Sequence, residues 1–347
     1  MGKKEIDSSI KNFREILSGI KERSFKPFYL LMGEEPYYSD VIIDEIVRGA
    51  LNEDERDFNQ LILYGSDVTA AQVVESARRY PMLASRQVVI IKEAQLMNRL
   101  DDLELYFRQP MPTTLLVVSL TGKSVDKRTT LYKSALSNGV VFESFSLYED
   151  MIFSWIESYL KSKGYTISPE AAVLMGEYCG TELRKMVLEL DKLLTNLPDR
   201  AKKIETIHIE ENIGISREYN VFELTKAISF KDSVKIFKIV KHFGASPRQF
   251  PLVVTISALF MHFARVLKYH ALHNNGAKPS RGEIASYIGI IPYFMPEYDH
   301  AAKNYPLIKC MEVISLIRRY DSMSKSSQRG EAEDGDILLE LVYKISH

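Results

Sequence analysis

The chain has 347 residues, 46% hydrophobic and 26% charged, with a formal net charge of −1 at pH 7. This composition is typical of a globular protein with two or three domains, and it excludes a strongly basic protein that binds nucleic acid through its net charge. No apolar run approaches the roughly 20 residues that cross a bilayer, and no secretory signal is visible, so we expect no membrane contact. The two cysteines, Cys179 and Cys310, have no metal-ligand neighbours and indicate a reduced, cytoplasmic protein.

Short apolar runs alternate with helical patterns in the first part of the chain. The runs predict strands over residues 28–32, 58–64, 88–91, 114–120 and 140–145. The intervening patterns predict helices over residues 6–20, 36–47, 70–80, 103–107 and 127–136. Such alternation is typical of a mostly parallel sheet covered by helices on both faces. We therefore predict an α/β domain with a five-stranded parallel sheet over residues 1–146.

The pattern changes after Phe145, where we find no further convincing strand. A helix is predicted from Glu149, and the next begins at Ser168 and Pro169, a plausible N-cap followed by proline at the first helical position. A long apolar helix is predicted over residues 250–272. We predict a small helical domain at residues 147–214 and a larger helical domain at residues 215–347.

One corner of the predicted sheet domain carries two apolar residues whose direction the pattern leaves open. Pro81 ends the helix before it, because proline lacks the amide that a helix interior needs. Met82 and Leu83 follow at once, ahead of the third strand. A buried corner is the commoner outcome for such a pair. The alternative is an exposed wedge that fits a pocket on a partner.

A parallel sheet whose first strand ends in glycine suggests a test for a phosphate loop. The P-loop pattern requires a second glycine, a lysine and a hydroxyl at fixed positions after the first glycine. Counted from Gly33, these positions hold Tyr38, Ser39 and Asp40. Lys92 stands where a magnesium-binding acid should follow the third strand. The sequence therefore predicts a nucleotide-binding fold without a working nucleotide site.

The histidines and basic residues give weaker signals. His262, His270 and His273 share a helix face, but no cysteine or acid completes a metal set, so a surface cluster is the better interpretation and no metal is expected. Two groups of basic residues are interpreted as solvated, with contact to DNA phosphates or to a partner as the alternative. They are Lys123, Lys127 and Arg128, and Lys231, Lys235, Lys238 and Lys241.

Several stretches, in this order and spacing, resemble the delta subunit of the bacterial DNA polymerase III clamp loader, a family with an AAA+-like first domain. They are residues 29–37, 81–90, 126–133, 180–185, 189–193 and 220–228. The resemblance implies three parts: a degenerate AAA+-like domain, a three-helix lid-like domain and a helical collar domain. It also implies that the apolar pair of the family's clamp-binding element falls on Met82 and Leu83, and that Arg184 stands where active relatives keep a nucleotide-sensing arginine.

The resemblance further implies a subunit that binds the beta sliding clamp and opens one clamp interface for loading onto primed DNA. Its other expected partners are the delta prime and gamma/tau subunits of a pentameric ring, and DNA through the assembled complex. Neither cysteine follows a Ser-Arg pair, so the arginine finger of related subunits is absent. We expect no catalytic site and no cofactor. The alternative is a working AAA+ ATPase with an atypical phosphate loop.

Overall fold

The computed structural model describes residues 2–198, 201–213, 219–274, 279–326 and 331–347. The chain divides into two compact units. The first contains Met1–Tyr148 and Thr181–Leu188, and the second contains Glu149–Gly180 and Glu189–His347. The three-domain division with boundaries after residues 146 and 214 stays a prediction.

The first unit contains the predicted sheet. Its strands are β1 (Phe28–Gly33), β2 (Gln60–Tyr64), β3 (Gln87–Lys92), β4 (Thr114–Ser119) and β5 (Val140–Ser144). Its helices are α1 (Lys3–Lys21), α2 (Pro36–Ala50), α3 (Glu53–Asn59), α4 (Ala70–Ala77), α5 (Glu104–Arg108) and α6 (Thr130–Asn138). Helix α3 is not predicted by the sequence pattern because its residues show no apolar stripe, and the strand predicted from Phe58 is wrong at Phe58 and Asn59, which end this helix. The capping box between Asn52 and Glu55 is the signal that marks its start.

The five strands are parallel and lie in the order β2-β3-β4-β1-β5. Tyr29 in β1 lies opposite Val117 in β4 and Val140 in β5. All residues of β1 and β4 are buried, as expected for strands covered on both faces. The predicted fold class is thereby confirmed. Because β1 has later strands on both sides, the loop after it lies where open α/β sheets place their ligands.

Helices dominate the rest of the chain. They are α7 (Glu149–Ser162), α8 (Pro169–Cys179), α9 (Leu183–Asn196), α10 (Thr206–Ile213), α11 (Val221–Ser229), α12 (Ser233–Ala245), α13 (Leu252–Asn274), α14 (Arg281–Ile288), α15 (Met295–Asn304), α16 (Leu307–Ser324) and α17 (Asp334–Ser346). The expectation that no strand follows residue 145 is wrong in one detail. Two short strands, β6 (Thr166–Ile167) and β7 (Lys203–Ile204), pair in parallel. Strands this short have no periodicity that a sequence pattern could reveal.

Helix α13 forms part of the core of the second unit through buried residues that include Leu259, Phe263 and Val266. Among the described residues, its stretch Leu252–Leu272 has the length and apolar composition of a membrane span, with a mean hydropathy of 1.4. This corrects the expectation that no apolar run approaches that length. A helix that packs against several others can be apolar around much of its circumference, so the finding is weak support for a membrane span.

Gly33, at the end of β1, occupies a position that no side chain can share. Its φ is +119°, and a Cβ atom there would lie 2.1 Å from the backbone oxygen of Ser144. Gly122 also has a positive φ, +69°, but a Cβ on it would meet nothing within 4 Å. A side chain added at Gly122 would therefore cost free energy through backbone strain alone, whereas one added at Gly33 would cost free energy through both strain and a clash.

We predict that Gly33→Ala lowers the free energy of unfolding by about 3 kcal/mol or more, because strain and overpacking add together. The matched control Gly122→Ala should cost about 1 kcal/mol from strain alone. Urea unfolding of both variants measures the difference. Equal costs at the two positions would contradict the packing described for the end of β1.

Candidate functional site

The loop after β1 uses its backbone amides within the protein. The amide of Gly33 donates to the backbone oxygen of Lys123, at 3.0 Å. The amide of Glu34 donates to the backbone oxygen of Ser144, at 3.0 Å, and that of Glu35 to the Ser144 hydroxyl, at 3.3 Å. A phosphate loop works because such amides point at the ligand. Here the same amides donate to oxygen atoms of the protein itself.

The three residues that replace the P-loop signature also have structural roles. Tyr38 is buried and packs edge-on against Phe13, with 4.8 Å between the ring centroids. Ser39 is buried next to it in α2. The Asp40 carboxylate forms an ion pair with Arg184, with 2.7 Å between Oδ2 and Nε. The arginine at the expected nucleotide-sensing position therefore has an acidic partner within its own unit.

Glu35 adds negative charge to the same loop. Its carboxylate accepts a hydrogen bond from the backbone amide of Tyr37, and so caps the start of α2. Burial raises the pKa of this carboxyl above its usual value, although backbone hydrogen bonds from Tyr37 and Leu183 and the charge of Arg184 act in the opposite direction. A partly buried carboxyl group at this point opposes the binding of a polyanion.

The end of β3 likewise carries a basic residue in place of the expected acid. Lys92 is the last residue of the strand, and its carbonyl accepts from the amide of Gly65. Glu93, which follows, is exposed with a positive φ of 51°. Within the described part of the chain, no three histidine, cysteine, aspartate or glutamate residues are grouped so that they could hold a metal ion.

Met82 and Leu83 are exposed, so the structure favours the wedge over the buried corner. Met82 is 59% exposed and Leu83 is 102% exposed, and the φ of Leu83 is +52°. We call this pair the apolar tip. The loop is anchored behind it by Gln87, whose amide nitrogen contacts the backbone oxygen of Arg79, at 2.7 Å, and the hydroxyl of Thr114, at 2.9 Å. The fixed base of the loop contrasts with the full exposure of the apolar tip.

The basic residues after β4 are largely neutralised by acids of the same unit. Lys127 pairs with Glu143, with 2.7 Å between Nζ and Oε2, and Arg128 pairs with Asp126, with 2.6 Å between Nη2 and Oδ2. Both pairs raise the pKa of the basic partner. Lys123 contributes its backbone to the Gly33 contact, and its side chain is exposed. The three residues lie in one segment between β4 and α6.

The histidine prediction is corrected by the structure. His262 is buried in the second unit, where its Nε2 lies 3.0 Å from the hydroxyl of Ser229. Glu297 is also buried, with Oε1 at 3.5 Å from the same hydroxyl. His270 contacts the backbone oxygen of Tyr305, at 2.9 Å. The side chain of His273 lies outside the described residues.

The pKa values of these buried groups are shifted as burial requires. Burial lowers the pKa of His262 to about 3 and raises the pKa of Glu297 to about 7. At neutral pH the histidine is therefore neutral. The spacing of the histidines alone indicates a surface position for His262, whereas apolar residues surround it in the sequence of α13.

The fold defines a protein with a five-stranded parallel sheet followed by helices, in which the amides of the loop after β1 are bonded to protein oxygens. Residues 29–145 match the family model described as DNA polymerase III, delta subunit. DNA polymerase III subunit delta of Bacillus subtilis (strain 168) is 23% identical over 343 residues, which cover 94% of this chain and 94% of that relative.

A solved structure is similar over the same extent. The Bacillus subtilis DNA clamp loader delta protein matches with a TM-score of 0.53 and 19% sequence identity, covering 96% of this chain and 99% of that chain. This similarity shows the fold. The family model and the Bacillus subtilis relative confirm the resemblance to the delta-subunit family that the sequence motifs indicate.

The raised pKa of Glu297 predicts a pH dependence of stability. Between pH 4.5 and 7 the folded carboxyl keeps a proton that the unfolded chain releases, so this group makes the free energy of unfolding fall as pH rises through that window. Glu297→Gln removes the effect. We expect the free energy of unfolding of the variant, relative to that of the wild type, to increase by about 3 kcal/mol from pH 4.5 to pH 8.

Urea unfolding at a series of pH values measures this gain, and Glu340→Gln provides the control. Glu340 is exposed and its pKa is lowered by the hydrogen bond with Lys344, so the relative stability of that variant should change mainly below pH 4.5, in the opposite direction, and stay nearly constant between pH 4.5 and pH 8. A stability difference between Glu297→Gln and the wild type that does not change with pH would contradict the buried, protonated carboxyl.

Proposed function

We propose that this chain is the delta subunit of a clamp loader: it binds the beta sliding clamp through Met82 and Leu83 and opens one clamp interface without hydrolysing ATP. The observation that carries the proposal is the exposure of the apolar tip, 59% for Met82 and 102% for Leu83, on a loop with a fixed base. Large apolar side chains that project from a rigid base are typical anchors of protein interfaces.

The chemistry of the tip suits a pocket on a partner. Methionine is flexible and fills irregular apolar pockets, and leucine adds a branched side chain beside it. Burial of both would remove apolar surface from water, at about 25 cal/mol for each Å². A binding protein shifts a conformational equilibrium only by its differential affinity for the two states. For clamp opening, the tip must therefore bind the open clamp more tightly than the closed one.

The loop after β1 supports a role without ATP hydrolysis. The amides of Gly33, Glu34 and Glu35 donate to protein oxygens, and Arg184 is paired with Asp40. A working ATPase needs these donors and this arginine for phosphate groups. The alternative of an atypical ATPase would require the loop to break these bonds first.

The remaining partners follow from the same proposal. In a clamp loader the chain would assemble with the delta prime and gamma/tau subunits, whose ATP hydrolysis would drive the cycle. Primed DNA would be reached through the assembled complex, with Lys123, Lys127 and Arg128 as candidates for phosphate contact. The pairing of Lys127 and Arg128 with acids predicts that such contact is weak and salt-sensitive. The proposed location is the cytoplasm.

Met82→Ala/Leu83→Ala tests the tip. We expect the double variant to bind the sliding clamp about 30-fold or more weakly, since two apolar anchors at an interface are worth about 2–5 kcal/mol. Surface plasmon resonance with immobilised clamp measures the affinity, with and without ATP, and ATP should make no difference for the isolated chain.

The matched control is Leu105→Ala/Leu136→Ala in the same unit. These leucines are 68% and 61% exposed and belong to α5 and α6, not to the loop that carries the tip, so the control should bind within about threefold of the wild type. If both double variants bind like the wild type while thermal unfolding shows them folded, the apolar tip is not the clamp-binding element.

A further inference from the structure

The loop that carries the apolar tip is bound by a buried side chain from a distant part of the sequence. Asn59, the last residue of α3, is 3% exposed. Its Oδ1 accepts a hydrogen bond from the backbone amide of Met82, at 2.7 Å, and its Nδ2 donates to the backbone oxygen of Met82, at 2.8 Å. The orientation of the Asn59 amide follows from its partners, because the amide of Met82 can only donate and its carbonyl can only accept.

Asn59 is itself fixed to the first unit. Its Nδ2 also donates to the backbone oxygen of Glu55, one turn earlier in α3, at 3.1 Å. The next residue, Gln60, begins β2 and lies opposite Val88 in the parallel pairing with β3. The backbone of Met82 is therefore connected through one side chain to a strand of the sheet.

The conformation of the tip explains why such a connection matters. Leu83 combines a positive φ of 52° with a fully exposed side chain. Both features are unfavourable in the free protein, since a left-handed backbone costs a leucine about 1–2 kcal/mol and an exposed leucine gains nothing from burial. Strained conformations persist where the surrounding structure imposes them, and they concentrate at binding sites.

We propose that Asn59 is a positioning residue for partner binding: by holding both polar groups of the Met82 backbone, it presents Met82 and Leu83 in the conformation that the partner binds. This inference rests on the proposed function, because it assigns the tip to clamp binding. The physical gain is preorganisation. A loop that is already ordered loses less conformational entropy on binding, so more of the contact free energy appears as affinity.

Asn59→Asp is the test variant. It keeps the size of the side chain and an acceptor for the Met82 amide, but it replaces the donor to the carbonyls of Met82 and Glu55 with a second oxygen. We expect the variant to bind the clamp about tenfold more weakly although Met82 and Leu83 are unchanged. Asn138→Asp is the control for the loss of a side-chain donor, since the exposed Asn138 in α6 donates to the backbone oxygen of Phe107, at 3.3 Å.

A double-mutant cycle separates positioning from general structural support. If Asn59 acts through the tip, Asn59→Asp should cause no further loss of affinity in the Met82→Ala/Leu83→Ala background. Equal losses in both backgrounds, or wild-type affinity of Asn59→Asp beside a weakened tip variant, would overturn the positioning role and leave the proposed function intact. Wild-type affinity of the tip variant itself would overturn both.

Hydrogen exchange on the wild-type chain keeps the inference testable if Asn59→Asp does not fold. The amide of Met82 donates to a buried acceptor, so it should exchange at least about tenfold more slowly than in an unstructured chain. Unprotected exchange at Met82 would show that the connection to Asn59 does not persist, and the positioning role would then be wrong.

Discussion

Gly33 lies so close to Ser144 that a Cβ atom would stand 2.1 Å from its backbone oxygen, and this contact joins the carboxyl ends of β1 and β5. The amides of Glu34 and Glu35 then reach acceptors on Ser144, and α2 begins at Pro36 with Glu35 as its cap. The position at which this class of sheet binds phosphate is thereby occupied by protein groups. The parallel sheet is kept, while the binding function proposed for this chain uses another surface.

The apolar tip is such a surface, and its physical character is the reverse of a buried core. Core side chains gain stability by leaving water, whereas Leu83 is fully exposed and has a left-handed backbone. Burial of these side chains by a partner would therefore contribute a favourable free energy that folding alone does not provide. Asn59 connects this exposed pair to the sheet domain, so that the proposed binding depends on a contact made 23 residues away in the sequence.

The sequence was sufficient for the five strands and for the start of α2 at Pro36, because buried parallel strands and a proline at the first helical position leave strong local signals. It also showed that Tyr38, Ser39 and Asp40 replace the P-loop residues. It could not show which way Met82 and Leu83 point, because two apolar residues at a corner carry no periodicity. The pairing of Asp40 with Arg184 and the burial of His262 depend on tertiary packing, which spacing alone does not reveal.

Photo-cross-linking tests the central claim most directly. Leu83 is replaced by the photoreactive residue p-benzoylphenylalanine, and in a second protein Leu136, which is 61% exposed in the same unit, is replaced in the same way. Each protein is irradiated with the sliding clamp, and cross-linked peptides are identified by mass spectrometry. The account predicts clamp cross-links from position 83 and none from position 136. Cross-links from position 136 with none from position 83 would contradict it.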